Sequence, residues 1–278
     1  MDWNSIVTAE EAVANTAVRH HSFTAHFLSD IGCHREVNED SWLYESPRDE
    51  AVLEQKGILA LVADGMGGHA AGEVASQLAA TVIRTQYYRS DKRPQQALEE
   101  AFHAANRALY QAAQKQSHLH GMGTTCTALV LWKDVALSAQ VGDSRLYLVR
   151  HNQIYLMSED HSAVMEMVRR GKLSLADARQ HEDKNIIMRA LGPRPTVQVS
   201  TWKTPFPVCA GDQFVLCSDG LYDLVSDEDL RQTVTCHEPA TATECLILLA
   251  RERGGHDNIT AGVIQLFPEK ASRLRSPE

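Results

Sequence analysis

The sequence predicts a layered α+β fold, and three observations carry that expectation. Short apolar runs follow one another at hairpin spacing, with only Lys133-Asp134 or His151-Asn152 between some neighbours. Two long segments with apolar residues at three- and four-residue intervals interrupt these runs as a block. Strands and helices therefore come in separate groups, where a parallel sheet would need strand–helix–strand alternation.

Taken in chain order, residues 1–22 read as a polar extension with a short helix over Ala9–Val18. Strands are expected over Phe23–Ser29, Gly57–Ala63, Thr125–Trp132, Val135–Val141, Arg145–Arg150 and Gln153–Met157, then Thr196–Trp202, Gln213–Ser218 and Ile259–Phe267. The first long helix, Gly72–Tyr88, places Ala75, Leu78, Ala79, Val82 and Ile83 on one face. The second, Pro94–Lys115, does the same with Ala97, Leu98, Ala101, Phe102, Ala105, Ala108 and Leu109. Two later helices are expected to open on capping boxes, Ser226-x-x-Asp229 and Thr241-x-x-Glu244, with Gly254-Gly255 ending the second. Ser162–Gly192 reads as a polar, helical insertion between strands, and residues 268–278 as a polar tail.

Composition removes several function classes. A net charge of −9 argues against a nucleic-acid binder, which would carry a basic face. No apolar run approaches the length of a membrane span, and the N-terminus lacks a secretory signal, so a cytoplasmic location is expected; a monomer is expected as well. The six cysteines form no C-x-x-C pair and read as reduced, buried thiols.

Acidic residues gather at strand ends. Asn38-Glu39-Asp40 is expected to follow the first strand, Asp64-Gly65 the second, Asp143 a central one and Asp219-Gly220 a later one, while Asp257 precedes the last. One Asp-Gly pair is ordinarily a turn. Five aspartates so placed suggest an oxygen-only cation site, suited to Mg²⁺ or Mn²⁺ rather than zinc. Gly65, Gly67 and Ala70 also satisfy G-x-G-x-x-A. A dinucleotide site would need a βαβ unit with an acidic residue about 20 positions on, and that window falls within a helix. No G-K-[ST] occurs, which excludes a P-loop. His161, His181, His20-His21 and His118-x-His120 lack metal-ligand spacing.

Together these motifs resemble the protein phosphatase 2C family of metal-dependent serine/threonine phosphatases, particularly its bacterial branch. Arg35-Glu36-Val37-Asn38-Glu39-Asp40 is similar to the opening R-x-x-N-E/Q-D motif, and Asp64 to Glu73 matches D-G-M-G-G-H-x-x-G-E. Gly123-Thr124-Thr125, Gly142-Asp143-Ser144-Arg145, Asp160-His161-Ser162, Arg189-Ala190-Leu191-Gly192, Ser218-Asp219-Gly220 and Asp257-Asn258-Ile259-Thr260 follow in family order. The resemblance covers residues 23–267 and implies two packed antiparallel sheets flanked by helix pairs, with a flap at about 162–192.

It also implies the site. Asp64 is expected to bridge two Mn²⁺ or Mg²⁺ ions, Asp219 and Asp257 to hold one, and the Gly65 carbonyl with Glu39 and Asp40 to hold the other. Which of Glu39 and Asp40 contacts metal directly stays open. Asp143 is expected, with Asp219, to hold a third, weaker ion. A metal-bridging hydroxide would attack phosphorus, with Arg35 binding phosphate and His69 as general acid. The implied partners are phosphorylated proteins, including those of a cognate serine/threonine kinase. Arg169, Arg170 and Lys172 are a candidate docking cluster on the flap. The alternatives are a catalytically weak phosphoprotein binder, which would lack a metal carboxylate, and a dinucleotide-dependent oxidoreductase.

Overall fold

A computed structural model describes residues 21–67, 71–178 and 181–268. The expected Ala9–Val18 helix and the tail after Pro268 lie outside the described residues. The first half of the chain gives β1 (His21–Asp30), β2 (Asp40–Glu45), α1 (Glu50–Lys56), β3 (Ile58–Met66), α2 (Ala71–Arg89) and α3 (Pro94–Lys115). The hairpin region supplies β4 (Gly123–Thr124), β5 (Cys126–Trp132), β6 (Val135–Val141), β7 (Arg145–Arg150) and β8 (Gln153–Leu156). After them come α4 (Ala163–Arg169), α5 (Leu175–Ala178), β9 (Ser200–Thr201), β10 (Phe206–Pro207) and β11 (Gln213–Cys217). The chain continues through α6 (Asp219–Tyr222), α7 (Asp227–Cys236), α8 (Pro239–Glu252) and β12 (Ile259–Pro268).

Two sheets form, one of five strands in the order β1-β12-β11-β7-β8 and one of seven built on β10-β6-β5-β3-β2, with β4 and β9 at its margins. Every described strand pairing is antiparallel. That removes the βαβ unit a dinucleotide site on Gly65–Ala70 would need.

Strand β3 shows how the layers are made. Its side chains alternate: Leu59, Leu61 and Ala63 pack under α2 and α3 with Ala75, Ala79, Ile83, Phe102 and Leu109. Ile58, Ala60 and Val62 point the other way and meet Phe27, Leu146, Phe214 and Ile264 between the sheets. Beyond the second sheet, Tyr147, Val215 and Val263 pack against Leu230 and Val234 of α7 and Leu246 of α8. The order is helix pair, sheet, sheet, helix pair, an α+β sandwich with three apolar layers.

Several expectations need correction. β1 ends at Asp30, and residues 31–39 separate it from Asp40, which opens the unanticipated strand β2. The unanticipated helix α1 is capped by Asp49, whose side chain accepts from Ala51 N at 2.9 Å. β3 runs on to Met66, so Asp64 and Gly65 lie within the strand.

Thr196–Trp202 yields only Ser200–Thr201, which pairs with Gln140 and Ala139 of β6. Ser226 and Asp229 do form a capping box. Thr241 does not, because Pro239 starts α8 earlier with Glu238 as its cap. Among the described residues the insertion is helical only over α4 and α5. All six cysteines are free, but Cys33 and Cys236 are exposed and only Cys126 and Cys217 are fully buried. Among the described residues no helix is long and apolar enough to cross a membrane.

Candidate active site

The carboxylates of the site are placed by strand register. Asp40 at the start of β2 lies directly opposite Asp64 in β3. Like charges at such a cross-strand position repel. Asp219 begins α6 just beyond β11, Asp143 sits in the turn between β6 and β7, and Asp257 immediately precedes β12. Both sheets thus deliver acids to one end of the sandwich.

A lattice of neutral groups fixes them. Asp40 Oδ2 accepts from Ser218 Oγ at 2.7 Å and Thr260 Oγ1 at 2.6 Å, tying β2 to the opposite sheet. Asp64 N donates to Thr125 Oγ1 at 3.0 Å, and the Asp64 carbonyl accepts from Thr124 Oγ1 and Thr125 N, each at 2.8 Å. Asn258 spans three segments: Oδ1 accepts from Glu39 N at 2.8 Å, and Nδ2 donates to the Ile31 and Val37 carbonyls at 3.0 Å. Asn38 Nδ2 donates to Ser29 Oγ at 2.8 Å. The sequence reading quoted Asn38, Ser218, Asn258 and Thr260 as motif letters without assigning these positioning roles. Their signal was their place beside the acids.

Glycine brings the backbones together. A Cβ on Gly65 would fall 2.1 Å from the Gly72 carbonyl oxygen and 2.5 Å from that of Glu39. A Cβ on Gly72 would fall 2.4 Å from Glu39 Oε1. Only glycine at both positions lets β3, the start of α2 and Glu39 meet.

The charges are held under strain. Burial pushes the Asp40 carboxyl up to about 7, aided by Asp219 and Asp257 and opposed by its hydroxyl donors. Burial raises Asp143 to about 8, with Asp219 and Asp160 adding to it. Asp219 rises to about 6 through burial and the neighbouring Asp257 and Asp223 charges. Asp64 rises well above the carboxylate range, again from burial first and then from Asp40, Asp219, Asp143 and Asp257. Burial also raises Glu39. One buried oxygen each of Glu39, Asp40, Asp143 and Asp219 has no hydrogen-bond partner.

Unpaired buried carboxylate oxygens are costly unless a cation neutralises them. Among the described residues no three His, Cys, Asp or Glu side chains already converge closely enough to hold a metal ion. What joins these acids is mutual electrostatic influence and orphaned oxygens. That donor set fits hard divalent ions, which also take waters and backbone carbonyls such as Gly65.

Arg35 stands beside this cluster. Its Nη2 donates to Asp257 Oδ2 at 2.7 Å, and with 49% of its side chain exposed the guanidinium remains open to an incoming ligand. Residues 68–70 lie outside the described set, so His69 has no described position. His161 is buried and positions the Asp143 turn: its Nδ1 accepts from Gly142 N at 3.1 Å, while Nε2 bonds Ser200 Oγ at 2.8 Å. Burial, then Arg189 and Arg169, lowers the His161 pKa to about 4 and keeps the ring neutral. Arg145 grips Asp160, with Nη2 at 2.7 Å from Oδ2, and stacks 3.7 Å over the Tyr222 ring, fastening the flap's root. The sequence reading gave neither His161 nor Arg145 a role.

Comparison with known proteins identifies the family. Residues 34–249 match the protein phosphatase 2C family. The serine/threonine phosphatase stp of Listeria welshimeri is 34% identical over 248 residues, covering 87% of this chain and 95% of that one. The crystal structure of the Mycobacterium tuberculosis serine/threonine phosphatase PstP/Ppp superposes with a TM-score of 0.77 at 35% identity, over 88% of this chain and 99% of that one. A PstP catalytic domain solved in complex with 2 manganese ions superposes with a TM-score of 0.75 at 33% identity, over 89% of this chain and 100% of that one. On fold, motif order and likeness, the chain belongs to the protein phosphatase 2C family and is a serine/threonine protein phosphatase of that type.

Proposed function

We propose that phosphoserine and phosphothreonine are hydrolysed at the Asp40–Asp64–Asp219–Asp257 end of the sandwich with Mn²⁺ or Mg²⁺ as cofactor. The observation that carries this reading is the set of buried, charge-coupled carboxylates with unpartnered oxygens. The manganese bound by the similar PstP domain supports the choice of ion. Asp64, Asp219 and Asp257 would hold one cation. Asp64, the Gly65 carbonyl and the Glu39–Asp40 pair would hold another, Glu39 and Asp40 each having one unpartnered oxygen to offer. Asp143 and Asp219 would take a third, weaker ion. When bound, the ions supply an activated water nucleophile and neutralise phosphate charge.

The chain's own groups do the rest. Arg35 exchanges its contact with Asp257 for two phosphate oxygens, to which its planar guanidinium donates in a fork that lysine cannot reproduce. His69 gives a proton to the departing serine or threonine oxygen. Thr124, Thr125, Ser218, Thr260 and Asn258 keep the acids in place and so limit reorganisation as the reaction proceeds. The enzyme acts as a cytoplasmic monomer and opposes a serine/threonine kinase.

Substitution of one bridging acid tests the reading. Asp64→Asn retains the shape of the side chain and should abolish phosphate release from a phosphothreonine peptide while the circular dichroism spectrum stays native. Undiminished turnover in that variant would exclude Asp64 from the reaction.

A further inference from the structure

Beside the carboxylates, but separate from them, a cavity of about 510 Å³ opens between the flap and the sandwich. Its wall includes Met66, the residue after Gly65, so it borders the proposed reaction centre. Four arginines line it, Arg169, Arg170, Arg189 and Arg194, against one glutamate, Glu166. In a chain of net charge −9 this is a concentrated cationic surface.

The arginines are not equivalent. Arg169 Nη2 reaches Glu166 Oε2 at 2.6 Å and Nη1 reaches Glu159 Oε1 at 3.1 Å, while Arg170 Nε binds Glu166 Oε1 at 2.7 Å. These two are satisfied by Glu159 and Glu166, and Lys172 does not line the cavity. Arg189 and Arg194 have no carboxylate partner among the described residues. Arg189 Nη1 lies 3.3 Å from His161 Nε2 and 3.4 Å from Ser200 Oγ. His161 Nδ1 accepts from a backbone N–H, so in the neutral ring Nε2 carries the hydrogen and offers Arg189 no lone pair. Arg189 therefore keeps free donors. Arg194 is exposed between Pro193 and Pro195, which restrict its backbone.

We infer that this cavity is a second anion subsite, in which Arg189 and Arg194 hold a carboxylate or phosphate carried by the phosphoprotein substrate near the residue being dephosphorylated. The inference rests on the phosphatase reading above and adds a substrate class to it: phosphoproteins acidic around the target residue. Binding a remote anion here would hold the scissile phosphate in register and raise kcat/KM for acidic substrates.

The test uses the full chain at saturating Mn²⁺ and fixed ionic strength. Two phosphothreonine peptides, one flanked by glutamates and one by glutamines, are compared with p-nitrophenyl phosphate. The glutamate peptide should have about tenfold higher kcat/KM than the glutamine peptide, the scale of a charge-assisted contact, and added salt should erode the difference. In Arg189→Gln/Arg194→Gln the preference should shrink to about twofold or less, with a far greater loss on the glutamate peptide than on the aryl phosphate. Arg194→Gln alone, at an exposed position, should give part of that effect and guards against misfolding of the double variant. Equal kcat/KM for the two peptides in the unaltered chain, or equal loss on all three substrates in the variants, would overturn the subsite. Absence of metal-dependent turnover on every substrate would overturn the underlying phosphatase reading, and the subsite with it.

Discussion

Asp40 and Asp64 are paired residue to residue across the antiparallel β2–β3 ladder, a buried and a half-buried acid facing each other where most sheets place apolar or oppositely charged partners. Asp40 meets part of the cost through Ser218 and Thr260, which occupy its Oδ2, and its Oδ1 stays without a partner. Sequence-local turns do not explain this arrangement. It puts two acids at one spot at the expense of stability, as sites built for a cation do.

Stability of the chelated protein should therefore fall as pH rises. Burial holds Asp219, Asp40 and Asp143 at about 6, 7 and 8, all above the usual aspartate value, so the folded chain binds more protons than the unfolded one between about pH 4 and 8. That contribution is present at low pH and is lost as pH passes through the folded values. Thermal melts in excess chelator should show Tm dropping by on the order of 5 °C or more from pH 5 to pH 8. Mn²⁺ should reverse most of the drop at pH 8, since ligand bound only to the folded state stabilises it. A Tm that rises across this range in chelator would contradict the account.

Arg35 and Asp257 form a second informative pair, at 2.7 Å and on the solvent side of the cluster. Arg35→Lys keeps the charge but loses the fork. It should reduce kcat/KM on phosphopeptides by about 10- to 100-fold, the worth of one charge-assisted hydrogen bond. Product inhibition by inorganic phosphate should weaken in parallel. Unchanged phosphate inhibition alongside slower turnover would make Arg35 a support for Asp257 only.

Much of this was legible in the sequence because it depended on local pattern. The helical faces of α2 and α3 and the two-sided burial of β3 follow directly from residue spacing. The acids at Asp143, Asp219 and Asp257 fall next to strands whose apolar runs are plain. β2 was not legible: Ser41-Trp42-Leu43-Tyr44 is short, and Trp42 is 42% exposed at the sheet edge, so no clean alternation marks it. The Asp40–Asp64 register was hidden with it.

The span of Asn258 from Glu39 to Ile31 and Val37 joins residues more than 200 positions apart, which no window of sequence can show. The flap misled for another reason. Its polar composition suits helix, but much of Gly171–Gly192 forms turns held by backbone contacts such as Met188 N to the His161 carbonyl at 2.7 Å. Of the docking cluster expected at Arg169, Arg170 and Lys172, the two arginines are already engaged by Glu166.

His69 can be tested without reference to its position. A serine or threonine alkoxide needs a proton as it leaves, whereas p-nitrophenolate needs little help. His69→Ala should slow phosphothreonine peptide hydrolysis by about 10²- to 10⁴-fold and aryl phosphate hydrolysis far less. Loss of the same size on both substrates at saturating metal would remove the general-acid role.

The central claim is that the buried acids work by holding divalent cations. Initial rates of phosphate release from a phosphothreonine peptide, measured in excess chelator and again after Mn²⁺ or Mg²⁺ is restored, address it most directly. The account predicts no detectable release in chelator and full recovery with either ion, with Asp219→Asn failing to recover. Undiminished release in excess chelator would contradict it.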